Sequence, residues 1–207
     1  MTIRRGQEWG SPSELPRGIA VVGSDAEAAK KLWAGEPVML AGGDLARTVG
    51  AGGTPVDDGY GGQRQLTEAP VDMMAVRVNG RTLPAVAHVV VRPPWNRGGW
   101  LRGGLTVVMN AQYLGRLDLA PRGHPNDGRV EVSEVYPSMR FRQRLVAWRR
   151  ARTGSHLPHP DIATTSSSHI RVTTDGRVVF IDGVCAGRPA DDEVVIDVVP
   201  DRGVVWF

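Results

Sequence analysis

The sequence predicts an α+β protein, in which a short α/β segment precedes a β-sandwich domain carrying one amphipathic helix. Three observations predict it. The 207 residues include 26 glycines and 15 prolines, a punctuation that favours short strands and turns. Two apolar runs, Gly18–Val22 and Pro37–Ala41, each lead into a stretch of helix-forming residues. After Pro70, short β-type runs recur to the last residue, and a single 3.6-residue period interrupts them.

Residues 1–17 are polar and broken by Pro12 and Pro16, and read as a loosely structured arm. Residues 18–50 form the α/β segment. Gly18-Ile-Ala-Val-Val22 is a strand buried on both faces, Ser24 caps a helix with Glu27 three residues on, and the helix runs to Trp33 before Gly35 stops it. Pro37–Ala41 is a second strand. Gly42-Gly43-Asp44 turns the chain into a short helix over Leu45–Val49. Residues 51–70 are rich in Gly, Asp and Thr without a sustained period, a linker or a flap that marks the domain boundary.

Residues 71–207 form the strand-rich domain. Met73–Val78 and Thr82–Val91 flank Asn79-Gly80, the strongest short-range hairpin signal. Leu105–Asn110, Arg129–Val135, Ile170–Thr173, Val178–Ile181, Val194–Val199 and Val204–Phe207 are further strands, separated by turn residues; Arg92–Gly104 is a loop. Over Ser138–Arg152, Phe141, Leu145 and Trp148 recur at i, i+4 and i+7, a stripe expected to pack on the sheet. Arg140, Arg142, Arg144, Arg149, Arg150 and Arg152 occupy the other faces. They form either a solvated face or a peripheral contact with an anionic surface such as a membrane.

Net charge is +3 with a pI of about 9.5, and Lys30 and Lys31 are the only lysines. Arginine's planar fork suits phosphate, so a nucleotide or lipid headgroup is a chemically sensible partner. The excess charge is too small to support a nucleic-acid partner. Cys185 is the only cysteine, which excludes an intrachain disulfide and suits a reducing compartment. No apolar run reaches the length of a membrane span, and the first residues carry no secretory pattern. A cytoplasmic location is the expectation.

Several residues carry chemistry. Gly42-Gly43-Asp44, between a strand and a helix, lets backbone amides approach a phosphate, although the spacing matches neither a P-loop nor a dinucleotide fingerprint. His124, His156 and His159 with Asp127 and Asp161 offer donors that suit zinc. Pro158 and Pro160 place two of these histidines in a rigid loop, where packing is the simpler role. His88 lies inside an apolar strand as a core histidine, and Cys185 has no adjacent base.

Five spaced elements occur in order: Asn110–Gly115, Ala120-Pro121, Asn126-Asp127-Gly128-Arg129-Val130, Gly154–Ile162, and Ile181-Asp182-Gly183. From Val71 to Phe207 this succession resembles the C-terminal β-sandwich lobe of the diacylglycerol-kinase-like lipid kinases, relatives of the sphingosine kinases. The first segment then corresponds to a truncated, Rossmann-like nucleotide lobe. Gly42-Gly43-Asp44 resembles the start of the family's Gly-Gly-Asp-Gly-Thr nucleotide motif, with Leu45 and Ala46 in its last two positions. The resemblance implies that Leu45 crowds the phosphates and that Ala46 withdraws a hydroxyl. It implies a Mg²⁺ held by Asp127 with the main-chain oxygens of His124 and Arg129, where the plainer reading is a turn before a strand. It places Asp72 towards the nucleotide–metal site and Val184, after Asp182-Gly183, at the position of the general base. An aliphatic side chain accepts no proton. The implied function is ATP- and Mg²⁺-dependent phosphorylation of a lipid hydroxyl, weak or absent; the alternative is a non-catalytic, degenerate kinase lobe that binds a ligand or partner.

Overall fold

The computed structural model of the protein describes residues 9–51 and 66–207. Most of the expected linker and the first half of the expected arm therefore lie outside the described residues. The chain opens with β1 (Ser11–Ser13), β2 (Ala20–Val22), α1 (Asp25–Trp33), β3 (Val38–Leu40) and α2 (Asp44–Val49). At the start of α1, Ser24 Oγ accepts from Glu27 N at 3.4 Å, as a cap should. Glu27 returns a bond to Gly23 N, one residue before the cap. Gly35 ends the helix at φ +83°, a conformation that disfavours any Cβ.

β4 (Leu66–Val78) and β5 (Arg81–Ala85) form the predicted hairpin, with Asn79 at φ +51° and Gly80 at φ +69°, both left-handed as its two-residue turn requires. Then come β6 (His88–Arg92), β7 (Leu105–Met109), β8 (Tyr113–Leu114), β9 (Leu117–Asp118), β10 (Val130–Val135) and α3 (Phe141–Ala151). The chain continues with β11 (Ile162–Ser167), β12 (His169–Thr173), β13 (Val178–Ile181), β14 (Val184–Gly187) and β15 (Glu193–Trp206). Strands dominate the second part as expected, and α3 is its one α-helix.

Two sheets face each other. The first has the order β1-β4-β15-β3-β2, with β5 beside β4 and β12 beside β15; the second runs β11-β10-β7-β6-β13-β14. Met74, Val76 and Ile196 of the first sheet meet Val89, Val91, Val108 and Val179 of the second in an all-aliphatic core. A second core lies where α1 and α2 pack, around Leu32, Leu40, Leu45, Val71 and Met73. No helix among the described residues is long and apolar enough to cross a membrane.

Four features depart from the sequence expectations. Ser11–Ser13 of the arm is a strand, paired with Leu66–Glu68. The run Thr82–Val91 is two strands, because the chain leaves the first sheet after Ala85 and enters the second at His88. The α/β segment shares its sheet with the strand-rich part across the expected boundary: β3 pairs in parallel with β15, Val38 opposite Val205. Finally, the stripe on α3 packs on the sheet only in part, with Leu145 and Trp148 facing it across a gap. Phe141, Leu145 and Trp148 are 49%, 43% and 40% exposed, whereas Arg144 and Ala151 are buried. The Arg144 guanidinium explains the exposure. It donates from Nε to Met139 O at 3.1 Å, from Nη1 to Trp100 O at 3.3 Å, and from Nη2 to Tyr136 O at 3.1 Å and to Gly103 O. Four carbonyls satisfy the buried cation, and turning it outward would strand them.

Candidate functional site

The two strand-to-helix turns of the α/β segment lie back to back. Asp25 opens α1 and Asp44 opens α2. The Asp25 carboxylate accepts from Asp44 N at 2.7 Å and Leu45 N at 3.0 Å. A Cβ on Gly43 would collide with that carboxylate, and one on Gly42 would meet Gly23 O at 2.7 Å, so both glycines serve the contact between the turns. Burial raises the Asp25 pKa above the usual carboxylate value, partly offset by the two amides it accepts from.

That arrangement changes the meaning of Gly42-Gly43-Asp44. Two amides that would face a phosphate already face an anion belonging to the chain, and α2 has only six residues. The turn does not fit a bound phosphate. Leu45 and Ala46 are buried in the core beneath α2, so Leu45 does not crowd a phosphate either. The expected steric defect is corrected accordingly.

Asp44 points the other way. Its Oδ1 accepts from Gly115 N at 2.8 Å, and its Oδ2 lies 3.3 Å from His88 Nε2. His88 Nδ1 is 3.4 Å from Asp182 Oδ1, close enough for ion pairing but without hydrogen-bond geometry. Asp182, at the β13–β14 turn, accepts from the amides of Val86, Ala87 and His88 at 2.8, 3.0 and 2.9 Å. Those are the residues at which the chain changes sheets, so Asp182 satisfies amides the ladders leave unpaired. Burial alone would lower the His88 pKa, but Asp182 and Asp44 outweigh it and raise it to about 10. His88 is therefore a core histidine with a charge, clamped between two carboxylates.

Asp72 belongs to a second, structural cluster. It is fully buried and accepts from Gly128 N at 2.6 Å and Asp201 N at 2.9 Å. Asn110 Nδ2 ties the clusters together by donating to Asp72 O at 3.0 Å and Val86 O at 2.8 Å. Nearby, Asp127 Oδ1 accepts from Arg129 N at 3.0 Å in a local side-chain turn, and the exposed Arg129 side chain reaches Ser166. His124 Nδ1 accepts from Asn126 N, and its ring meets Trp9 edge-on at 4.9 Å. One hard carboxylate beside main-chain oxygens suits Mg²⁺, which binds through one or two carboxylates and keeps its waters. For zinc the donors do not converge: among the described residues no group of three or more His, Cys, Asp or Glu is placed to hold a metal. His159 accepts from Asp161 N, as loop packing predicts.

Val184, which the sequence resemblance implied at the base position, lies on the edge strand β14 and is 58% exposed. Among the carboxylates here, Asp182 is saturated by amides and both oxygens of Asp44 are engaged.

A separate feature lies under α3. Trp100, Leu105, Val107, Leu119, Leu145 and Trp148 line an apolar slot of about 100 Å³ against the outer face of the second sheet. His156 also lines it. The imidazole is buried, burial lowers its pKa, and neither ring nitrogen has a hydrogen-bond partner among the described residues. Sequence reasoning missed the slot, Asp25 and the partners of His88. The Gly23-Ser24-Asp25 turn parallels Gly42-Gly43-Asp44, and that repetition was the available signal for Asp25.

No known family model matches the chain, and no curated protein matches it. Solved structures do. Three from Bacillus anthracis str. Sterne, one described as a diacylglycerol kinase and two provisionally so, align with TM-scores of 0.53, 0.55 and 0.59 at 14%, 13% and 14% identity. The alignments cover 82%, 82% and 90% of this chain and 66%, 69% and 76% of those proteins. The chain thus spans just under two thirds of the first of them. At such identity the likeness is one of fold: this chain has the fold of the diacylglycerol-kinase-like proteins.

Proposed function

We propose that the protein is a lipid-kinase-like protein that holds a lipid under α3, with ATP- and Mg²⁺-dependent phosphorylation of a lipid hydroxyl weak or absent. The apolar slot is the observation that carries this reading. Its walls match an acyl chain, each buried methylene contributing about 0.8 kcal/mol. Its one unpaired polar group, neutral His156, offers a donor and an acceptor to a hydroxyl or ester. Weak turnover is supported by Asp25 on the α2 amides and by the aliphatic Val184. A second reading, a non-catalytic binding lobe, rests on the same Asp25 contact.

Trp100, Trp148 and Ala147 all line the slot, so a short-chain brominated diacylglycerol should quench the tryptophan fluorescence, and Ala147→Phe, which fills the slot, should abolish the quenching. ATP-dependent phosphorylation of diacylglycerol in mixed micelles separates the readings. Quenching without turnover selects the binding lobe, robust turnover refutes weak activity, and no quenching removes the lipid.

A further inference from the structure

The slot under α3 does not end at its apolar walls. It shares Leu119, Ser133 and Ile162 with a second cavity, of about 450 Å³, on the same outer face of the second sheet. Arg122, Glu131, His159 and Thr164 also line that cavity. β10 sets the polarity along the joint groove. Val130 and Val132 face the core, so Val135, Ser133 and Glu131 follow one another on the outer face. Val135 stands opposite Leu105 and Ile162, Ser133 opposite Val107 and Thr164, and Glu131 opposite Met109 and Ser166. Over four residues of strand, about 13 Å, the groove turns from aliphatic to hydroxyl to carboxylate. The groups at its polar end are uncommitted. Ser133 is 8% exposed, and its hydroxyl makes no hydrogen bond among the described residues. The Arg122 guanidinium and the Glu131 carboxylate make neither hydrogen bond nor ion pair there, with each other or with any other described residue. His159 Nδ1 accepts from Asp161 N at 3.0 Å, which leaves Nε2 as the donating nitrogen of the neutral ring.

We propose that slot and cavity together hold a single-chain lipid with a zwitterionic phosphodiester head, of the lysophosphatidylethanolamine kind. The proposal rests on the lipid slot of the reading above and adds the head. At about 100 Å³ the slot takes part of one acyl chain and leaves no room for a second. An unpaired cation and an unpaired anion in one cavity fit a ligand that carries both charges, because a neutral head would leave each without a partner. Arg122 and His159 Nε2 donate to the phosphate, and Glu131 accepts from the ammonium. Ser133, at the junction, bonds the glycerol hydroxyl, and His156, inside the slot, meets the ester. A diacylglycerol offers neither charge and carries two chains. The cavity also lies at the β10–β11 edge of the second sheet, with β7, β6 and β13 between it and β14, the strand of Val184. A head held there is bound without being presented to that position, which favours the binding lobe.

Tryptophan quenching by short-chain brominated lipids, kept below their critical micelle concentrations, tests the head apart from the slot. Lysophosphatidylethanolamine should bind the wild-type chain at least about tenfold more tightly than the monoacylglycerol of the same chain, since a charge-assisted hydrogen bond contributes roughly tenfold. Lysophosphatidylglycerol, which keeps the phosphate and lacks the ammonium, should fall between them. Arg122→Gln should weaken lysophosphatidylethanolamine about tenfold and leave monoacylglycerol unchanged. Glu131→Gln should weaken lysophosphatidylethanolamine by roughly fivefold or more and leave lysophosphatidylglycerol no weaker than before. Neither side chain has a partner in the fold, and unchanged melting curves confirm that both variants fold. Ala147→Phe should abolish quenching by every lipid. Equal affinity for lysophosphatidylethanolamine and monoacylglycerol, or for lysophosphatidylethanolamine and lysophosphatidylglycerol, overturns the proposal and leaves the slot standing. Affinity for lysophosphatidylethanolamine that neither head variant reduces overturns it in the same way. No quenching by any of the lipids removes the slot, and the proposal with it.

Discussion

His88 Nε2 lies 3.3 Å from Asp44 Oδ2, so a strand of the second sheet is joined to the start of α2 by a buried ion pair. Asp182 holds the other side of the ring, and the imidazolium is the positive centre of an otherwise acidic cluster. The His88 pKa is raised from the ordinary 6.5 to about 10 in the fold. A group whose pKa rises on folding stabilises fully below its unfolded value, and that stabilisation is lost as pH climbs through the folded value. Thermal stability should therefore fall between about pH 6.5 and pH 10 more steeply in the wild type than in His88→Gln. Equal slopes would show that the ring is neutral.

Asp25→Ala removes the acceptor for the Asp44 and Leu45 amides. Leaving such partly buried amides unpaired costs about 1–3 kcal/mol. At roughly 2–4 °C per kcal/mol for a chain of this size, Tm should drop by several degrees in differential scanning calorimetry. A variant as stable as the wild type would mean that water or a ligand replaces the carboxylate, and would reopen the turn as an anion site.

Restoring the family motif should not restore activity. Leu45 is fully buried, and Leu45→Gly removes a core side chain and adds a helix-breaking residue, about 3–5 kcal/mol together. The combination Leu45→Gly, Ala46→Thr and Val184→Glu should melt far below the wild type and show no more mixed-micelle turnover. Val184→Glu alone sits on an exposed edge and should cost under about 0.5 kcal/mol. A stable, active triple variant would contradict the placement of Leu45.

The proposed Mg²⁺ at Asp127 has its own signature. Asp127→Ala loses the bond from Arg129 N, about 1 kcal/mol, with or without a metal. Millimolar Mg²⁺ should raise the Tm of the wild type and not that of the variant. If Mg²⁺ moves neither, the turn is held by its hydrogen bond alone.

What was legible in the sequence was local. The Ser24 cap, the Asn79-Gly80 turn and the ends of α1 and α2 follow from short-range rules and appear where those rules put them. The split between β5 and β6 was not legible, because the amides of Val86 and Ala87 are satisfied by Asp182, 95 residues or more away. The same distance hid the charge on His88. The α3 stripe was found but expected to be better covered than it is, since periodicity locates an apolar face without saying how closely it meets its neighbour. Arg144 decides that, through carbonyls on a loop some 40 residues earlier. Likewise, the glycine turn was visible as a motif, while the acid that fills it came from a neighbouring turn.

β15 gives the molecule an order of assembly. It alone joins β4 to β3, and Val205 lies opposite Val38 across 167 positions of sequence. During synthesis β2, α1, β3 and α2 emerge well before the strand that connects their sheet to the sandwich. Closing a contact that distant is slow, and until then the inner edge of β3 offers unpaired backbone groups. The nascent chain is thus vulnerable to mispairing at β3, and substitutions in Val204–Trp206 should show their effect first in refolding yield and only afterwards in the stability of what has folded.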